Sequence, residues 1–230
     1  MQVKVIGSGS SGNAYCIESG SQSILLDCGL PLKKIQVGLD FKCSSICGCL
    51  ITHSHGDHVK GARDLMRLGV DIYAGKETFK AAGLEGHRVH VLENCIAGRI
   101  GAFKVLPLSV KHDVPTFSYL VSSGEEKLLY ITDAEYFPYK IDGITCLMIE
   151  ANHDTDVIME NVRKGILNEQ LAKRIVRSHM SIRACLTLIE KMDRSRLKEI
   201  WLLHLSSDNS MAEEFLRKVR ALTGCVVHVA

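Results

Sequence analysis

Short apolar segments rich in β-branched residues recur along the whole chain and restrict the folds that it can adopt. Those whose lengths suit strands are 2–6, 23–27, 48–52, 88–92, 127–132, 144–150, 200–205 and 225–229. Segments with helical periodicity lie between some of them, at 57–68, 168–177 and 182–192. Mixed strands and helices without strict βαβ alternation predict an α/β sandwich with sheets inside and helices outside.

The last predicted helix has the clearest boundary signals. Ser210 and Glu213 have the spacing of a capping box before an apolar stripe, and Gly224 stands where a C-terminal cap belongs. No internal repeat, low-complexity run or linker interrupts the 230 residues, a length that suits one ordinary domain. The sequence therefore predicts a single domain over residues 1–230.

Composition favours a cytoplasmic protein with reduced thiols. The N-terminal residues show no secretory pattern, and no apolar run approaches the roughly 18 residues of a membrane-spanning helix. The nine cysteines are odd in number and lie in apolar stretches, which fits buried thiols better than disulfides. The spacing of Cys43, Cys47 and Cys49 leaves a structural zinc site as the less favoured alternative. We expect no membrane partner.

The segment LITHSHGDH at 50–58 places three histidines and an aspartate directly after a predicted strand. If a helix begins near Asp57, the turn directs His53, His55, Asp57 and His58 toward one point. Imidazole and carboxylate groups suit zinc, manganese or iron. A solvated surface turn is the alternative, and this density of ligand types with Gly56 at the bend disfavours it. The segment therefore predicts a metal site.

This motif resembles the H-x-H-x-D-H signature of the metallo-β-lactamase superfamily. The resemblance extends to His112 after a strand, Asp133 at a strand end and His204 in the apolar segment WLLHL. It implies the four-layer αββα sandwich of that superfamily. It also implies two divalent cations, zinc or manganese with iron possible, and no organic cofactor. The implied ligands are His53, His55 and His112 for one cation and Asp57, His58 and His204 for the second, with Asp133 between them.

Such a set of ligands has a physical purpose in hydrolysis. Two cations close together lower the pKa of a shared water toward neutrality and stabilise the charge that develops on the attacked group. A complete set of seven ligands suits phosphodiester bonds well. The resemblance thus gives Asp57 and Asp133 catalytic roles beside their ligand roles.

Two further segments resemble the YycJ/WalJ-like, PhnP-related branch of the superfamily. One is the opening GSGSSGN at 7–13, where glycines permit a tight turn and Ser11 and Asn13 offer donors to an anion. The other is EANHD at 150–154, where Glu150, Asn152 and His153 either support the site or form an ordinary strand-end turn. A plain connecting turn is likewise the alternative for the opening segment.

A third resemblance to this branch is incomplete. The branch carries a Gly-His-Leu-Ser-Asn motif that opens a helix, whereas this chain has His179 and Ser181 with Ser178 and Ile182 at the Gly and Asn positions. We expect His179 at a helix N-terminus, where it protonates the leaving oxygen or binds a phosphate. A capping or solvated role is the alternative.

Basic residues concentrate in one part of the chain. Between 163 and 198 ten basic and three acidic residues give +7, which leaves −5 for the rest of a chain with net charge +2. A basic region of this kind is typical of a polyanion path, and solvated helix faces are the alternative. The candidate substrate-binding residues are Ser11, Asn13, Asn152, His153, Arg174, Arg177, Ser181 and Arg183.

The residues and the resemblance together predict a dinuclear metal-dependent hydrolase. The resemblance implies that it cleaves phosphodiester bonds, with DNA as its partner and exonuclease activity. A small-molecule, including cyclic, phosphodiesterase using the same metals is the first alternative. A thioesterase or lactonase is a further one. A nucleic-acid-binding protein with a vestigial metal site is the alternative outside the enzymes, and the oligomeric state is left open.

Overall fold

Strands and helices in the computed structural model, which describes residues 1–230, divide the chain into two units. The first contains Met1–Ser109 and Val114–Glu126, and the second contains Val110–Asp113 and Lys127–Ala230. The prediction of one domain over residues 1–230 stays a prediction. None of the helices combines the length and the apolar character needed to cross a membrane.

The first unit is built on a six-stranded sheet with the strand order β1-β2-β3-β4-β5-β6. The first three strands pair antiparallel, and β3 to β6 pair parallel. The strands are β1 (Gln2–Gly7), β2 (Ala14–Ser19), β3 (Gln22–Leu26), β4 (Ile46–Leu50), β5 (Ile72–Gly75) and β6 (Val89–Leu92). The helices are α1 (Leu32–Gly38), α2 (Gly56–Val59), α3 (Ala62–Arg67) and α4 (Lys76–Ala82), with a 3₁₀ turn at Cys43–Ser45.

Three more strands follow in the same part of the chain, β7 (Gly98–Ile100), β8 (Phe103–Val110) and β9 (Thr116–Ser123), in the order β9-β8-β7. Buried apolar side chains fill the core between the six-stranded sheet and its helices, among them Leu25, Ile51, Leu65, Ile72 and Phe79. Removing this apolar surface from water is the main term that favours folding of the unit.

Four parallel strands organise the second unit. They are β10 (Glu126–Ile131), β11 (Cys146–Glu150), β12 (Glu199–Leu203) and β13 (Val226–Val229), adjacent in the order β13-β12-β11-β10. The helices are α5 (Thr155–Arg163), α6 (Glu169–Ser178), α7 (Ile182–Lys191) and α8 (Ala212–Thr223). Every residue of β11 is buried, as is typical of a central parallel strand covered on both faces. The carboxyl ends of parallel strands lie at one edge, which is where polar groups converge.

The predicted strands are all present, with shifted boundaries, but the helix predicted over 57–68 is wrong as one element. It is interrupted between Val59 and Ala62, because the Gly61 amide donates to the Cys28 carbonyl at 2.7 Å. A Cβ atom on Gly61 would lie 2.9 Å from that same carbonyl oxygen, so the residue type follows from the close approach. The break ends α2 at Val59, one residue after the last histidine of the motif at 53–58.

The capping box predicted for the last helix is also wrong. Met211 is the N-cap of α8, and the Ser210 hydroxyl donates to the Ser206 carbonyl at 2.6 Å instead. The Ser210 hydroxyl thus forms its hydrogen bond within the loop that precedes α8 and does not cap the helix. Gly224 is the C-cap in the left-handed conformation with φ of 67°, as predicted.

Candidate metal centre

The loop that follows β4 gathers the predicted ligands of the first unit. His53 and His58 are buried, whereas His55 and Asp57 are partly exposed. His53 Nε2 lies 3.0 Å from His55 Nδ1. Two nitrogen ligands of one tetrahedral zinc ion stand about 3.3 Å apart, so this pair fits a shared cation with little adjustment.

A buried carboxylate orients the imidazoles of this loop. Asp27 Oδ2 accepts from His58 Nδ1 at 2.8 Å. Asp27 Oδ1 accepts from the Thr52 amide at 2.8 Å and from the Thr52 hydroxyl at 3.0 Å. That hydroxyl in turn lies 3.0 Å from His53 Nδ1, which can donate to it. Both rings are therefore held by Nδ1, which directs the Nε2 lone pairs to the ligand side, as is typical of metal-binding histidines.

Sequence reasoning did not identify Asp27. The only local signal is an acidic residue at the end of the apolar segment SILLD, which is too common to single out. Its importance depends on the pairing of β3 with β4, which brings Asp27 beside Thr52. Asp27 also has a left-handed backbone with φ of 57°, a conformation that non-glycine residues rarely adopt outside constrained sites.

We expect Asp27→Asn to weaken metal binding by about 10- to 100-fold, because the neutral amide no longer supports the basicity of His58. Competition with a chelating dye measures the affinity directly. Asp64→Asn is the matched control, since Asp64 lies on α3 and pairs only with exposed Arg67 among its described ion pairs. Equal affinities for the Asp27 variant and the parent would contradict the supporting role.

The glycine-rich loop at 7–13 forms hydrogen bonds with the histidine motif at 53–58. The Asn13 amide donates to the Asp57 carbonyl at 2.7 Å, and the Gly29 amide donates to the Asn13 carbonyl at 2.8 Å. The Asn13 side chain is fully buried, with Nδ2 3.1 Å from His58 Nε2 and Oδ1 accepting from the Gly9 amide at 2.9 Å. Asn13 thus positions α2. Ser11 is exposed, and anion binding by Ser11 and Asn13 stays a prediction.

In the second unit, polar side chains follow three neighbouring parallel strands. Asp133 comes after β10, Glu150 ends β11 and His204 comes after β12. With His179 they form a cluster whose potential ligand atoms all lie within 4.8 Å of one another. His204 Nδ1 is 3.2 Å from both Asp133 Oδ1 and Glu150 Oε1. The parallel arrangement of the strands brings these residues together, although they are distant in sequence.

An ion pair lies at the centre of this cluster. His179 Nδ1 donates to Glu150 Oε1 at 2.7 Å, and Glu150 Oε2 accepts from the Met180 and Ala134 amides at 3.0 and 3.3 Å. Burial alone would raise the pKa of Glu150, but the His179 charge keeps it lowered. Burial alone would lower the pKa of His179, but Glu150 and Asp133 raise it to about 10. At neutral pH Glu150 is therefore ionised and His179 is protonated.

Glu150 is a second residue that the predicted set lacked. The sequence left it open between a supporting residue and a strand-end turn, and the structure shows it fully buried with four donors around it. The EANHD segment is the signal that pointed toward it.

The expected position of His179 at a helix N-terminus is wrong. His179 is the C-cap of α6, and α7 begins after it with Ser181 as N-cap, which accepts from the Ala184 amide at 3.2 Å. The chain turns between two helices here, so Ser181 rather than His179 opens the second. The negative end of the α6 dipole favours a protonated imidazole, in agreement with the raised pKa of His179.

His112 has the form that metals bind. Its Nδ1 donates to the Ser178 carbonyl at 2.8 Å, which fixes the ring, and its Nε2, the other potential ligand atom, lies 2.9 Å from Asp113 Oδ1. Burial lowers the pKa of His112 despite the nearby carboxylates of Asp133 and Asp113, so the neutral ring is favoured.

The predicted substrate-binding residues of this unit differ in exposure. Arg174, Arg177 and Arg183 are exposed. The Arg174 Nη2 atom lies 3.9 Å from Asp113 Oδ2. Asn152 is buried and donates to the His204 carbonyl at 2.8 Å, so it positions a predicted ligand. His153 is buried, and neither ring nitrogen has a hydrogen-bond partner. Their roles toward substrate stay predictions.

The chain is similar to characterised proteins over most of its length. A profile of the family described as beta-lactamase superfamily domain matches residues 23–204. The exodeoxyribonuclease WalJ of Streptococcus pneumoniae is 29% identical over 228 residues, covering 91% of this chain and 83% of the relative. The exodeoxyribonuclease YycJ of Bacillus anthracis is 26% identical over 230 residues, covering 93% and 85%.

A solved structure supports the same assignment at the level of fold. The metallo-beta-lactamase fold protein YhfI from Bacillus subtilis has a TM-score of 0.77 and 17% identity, covering 99% of this chain and 95% of that protein. The predicted α/β fold class, the metallo-β-lactamase fold, is confirmed, as is the predicted YycJ/WalJ-like branch. Because the family profile covers well over half of the residues, this chain belongs to the beta-lactamase superfamily domain family.

Proposed function

We propose that this chain is a phosphodiesterase that uses two divalent cations and degrades DNA from an end. The observation that carries the proposal is the orientation of ligand imidazoles by fixed acceptors, Asp27 for His58 and the Ser178 carbonyl for His112. A metal centre requires imidazole rings that are fixed by such hydrogen bonds, whereas a solvated surface turn does not require them. The names of the exodeoxyribonuclease relatives support DNA as the substrate.

The proposed ligands are those that the superfamily resemblance implied. His53, His55 and His112 would hold one cation, Asp57, His58 and His204 would hold the second, and Asp133 would complete the set. Mixed nitrogen and carboxylate donors suit zinc or manganese, with iron as a further candidate. When bound, the cations supply Lewis acidity that activates water and neutralises phosphate charge.

The chain's own residues supply the proton for the leaving group. Glu150 holds His179 through Nδ1, and together with Asp133 it keeps the imidazole protonated at neutral pH. The second proton, on Nε2, is then available to the leaving oxygen. A group that gives up its proton in the transition state and is recharged from water acts as a general acid.

The proposal is tested by an assay of the metal-supplemented protein on linear DNA, covalently closed circular DNA, RNA, a chromogenic small diester and a thioester. We expect turnover of linear DNA and resistance of the closed circle, which has no end. The His58→Ala variant should lose all activities together. Activity on the thioester with none on diesters would contradict the proposal and favour the acyl hydrolase alternative.

The three exposed arginines distinguish a DNA nuclease from a small-molecule phosphodiesterase. We expect Arg174→Gln, Arg177→Gln and Arg183→Gln together to lower kcat/KM on DNA about 10²-fold more than on the small diester. The slope of log affinity for DNA against log salt concentration should fall by about 3, because each substitution leaves one phosphate without its cation.

A charge-matched control accompanies this variant. Lys33→Gln, Lys34→Gln and Lys42→Gln together remove the same amount of positive charge from exposed positions of the first unit. An equal loss on DNA in both triple variants would show a general charge effect and contradict a specific DNA path.

A further inference from the structure

A groove of about 470 Å³ lies in the second unit between the loop after Asp133 and helix α7. Only Arg183 and Ser181 of its lining were among the predicted substrate-binding residues. The residues that give the groove its character are Tyr136, Phe137, Met180, Arg183, Leu188 and Lys191. The volume is within the range of about 300–1,000 Å³ that is typical of small-molecule sites.

The lining combines an aromatic surface with positive charge. The Tyr136 side chain is 53% exposed, although it is large and partly apolar, whereas Phe137 and Met180 are buried beneath the groove. Arg183 and Lys191 are exposed, and no carboxylate belongs to the lining. An exposed aromatic ring with cations beside it and no acid suits a ligand that has a flat apolar part and an anionic part.

One wall of the groove starts beside the ion-pair cluster. Met180 follows His179 directly in sequence, and its amide donates to Glu150 Oε2, as does the amide of Ala134, which follows Asp133. Tyr136 is three residues from Asp133, a distance of at most about 11 Å along an extended chain. A ligand in the groove is therefore a near neighbour of whatever group lies at the cluster.

We propose that this groove binds one nucleotide of a nucleic-acid strand, next to the phosphodiester that is cleaved. The base stacks on Tyr136, and Arg183 and Lys191, about 12 Å apart along α7, supply positive charge to the phosphates on either side of it. The inference rests on the proposed function and adds a stacking site to it. Charge complementarity favours a nucleotide over an apolar peptide, because a peptide of that kind would leave both cations without a counter-charge.

The test measures binding and turnover separately. Deoxyadenosine 5′-monophosphate contains no diester bond, so its binding to the metal-loaded full chain is measured by equilibrium dialysis without hydrolysis. We expect Tyr136→Ala to weaken this binding about tenfold, Tyr136→Phe to keep it, and neither to change the binding of inorganic phosphate. Lys191→Gln should weaken it, whereas Lys198→Gln, at an exposed position outside the lining, should not.

Turnover gives an independent reading. We expect KM for DNA to rise about tenfold in Tyr136→Ala while kcat changes little, and the phenylalanine variant to restore the parent value. Mononucleotide binding that is equal in the parent and in Tyr136→Ala would overturn the stacking site. If the parent binds the mononucleotide through Tyr136 but cleaves no DNA, the proposed stacking site is supported and the proposed function is contradicted.

Discussion

Replacing Asp133 with alanine is expected to lower metal-dependent DNA hydrolysis by at least about 10³-fold. Asp133 would be one of the ligands of the proposed cations, and its Oδ1 lies 3.2 Å from His204 Nδ1 and 3.4 Å from His179 Nδ1. Its removal would therefore weaken cation binding and change the surroundings of the proposed proton donor, and losses of about this size accompany the removal of a single group that stabilises transition-state charge. The assay on linear DNA measures the change, and elemental analysis should show less metal per chain.

The backbone at Asp133 makes a second variant necessary. Its φ of 48° is unfavourable for alanine, so Asp133→Ala also loses stability. Asn tolerates the left-handed conformation, and Asp133→Asn should therefore stay folded and still be inactive. Asp208→Ala, at an exposed position, is the matched control. Parent-level hydrolysis in the Asn variant would contradict the enzyme mechanism.

The second large effect is expected for Gly29→Ala. A Cβ atom at Gly29 would lie 1.7 Å from the Asp57 carbonyl oxygen, so the backbone that carries Asp57 and His58 must move. We expect the free energy of unfolding to fall by about 3 kcal/mol, at the upper end of what overpacking usually costs. Metal binding should weaken in parallel, because the hydrogen bond from Cys28 to the His58 carbonyl lies in the same segment.

Gly56→Ala is the control for this prediction. Nothing lies within 4 Å of a Cβ atom at Gly56, which begins α2 within the same motif. Alanine in a helix is favoured over glycine by up to about 1 kcal/mol, so this variant should be as stable as the parent or slightly more so. Urea unfolding of both variants tests the pair. Equal stability of the Gly29 variant and the parent would show that this contact does not constrain the loop.

The sequence predicts best what depends on neighbouring residues. The strands follow from local runs of β-branched residues, and the ligand motif at 53–58 is contiguous. Asp27 and Glu150 act through strand pairings, β3 with β4 and β11 with its parallel neighbours, which no local pattern reveals. The prediction for His179 names the wrong helix end because the segment 174–191 contains two helices separated by a short turn.

The groove could not be predicted from the sequence either, because its lining residues are distant in sequence. The basic segment at 163–198 contains no Phe, Trp or Tyr, so the sequence does not predict stacking of bases there. Tyr136 and Phe137 come from the loop after β10, and only the folded chain brings them beside Arg183 and Lys191.

Left-handed backbone at Asp27, Asp133 and His204 has a consequence for how this centre can change during evolution. Among residues other than glycine, Asp, Asn and His adopt that conformation most readily. These are also residue types whose side chains can coordinate cations or form hydrogen bonds with imidazoles. Turn geometry and coordination chemistry therefore select from the same few residue types, so the ligands can be exchanged among themselves while the strands that carry them stay unaltered.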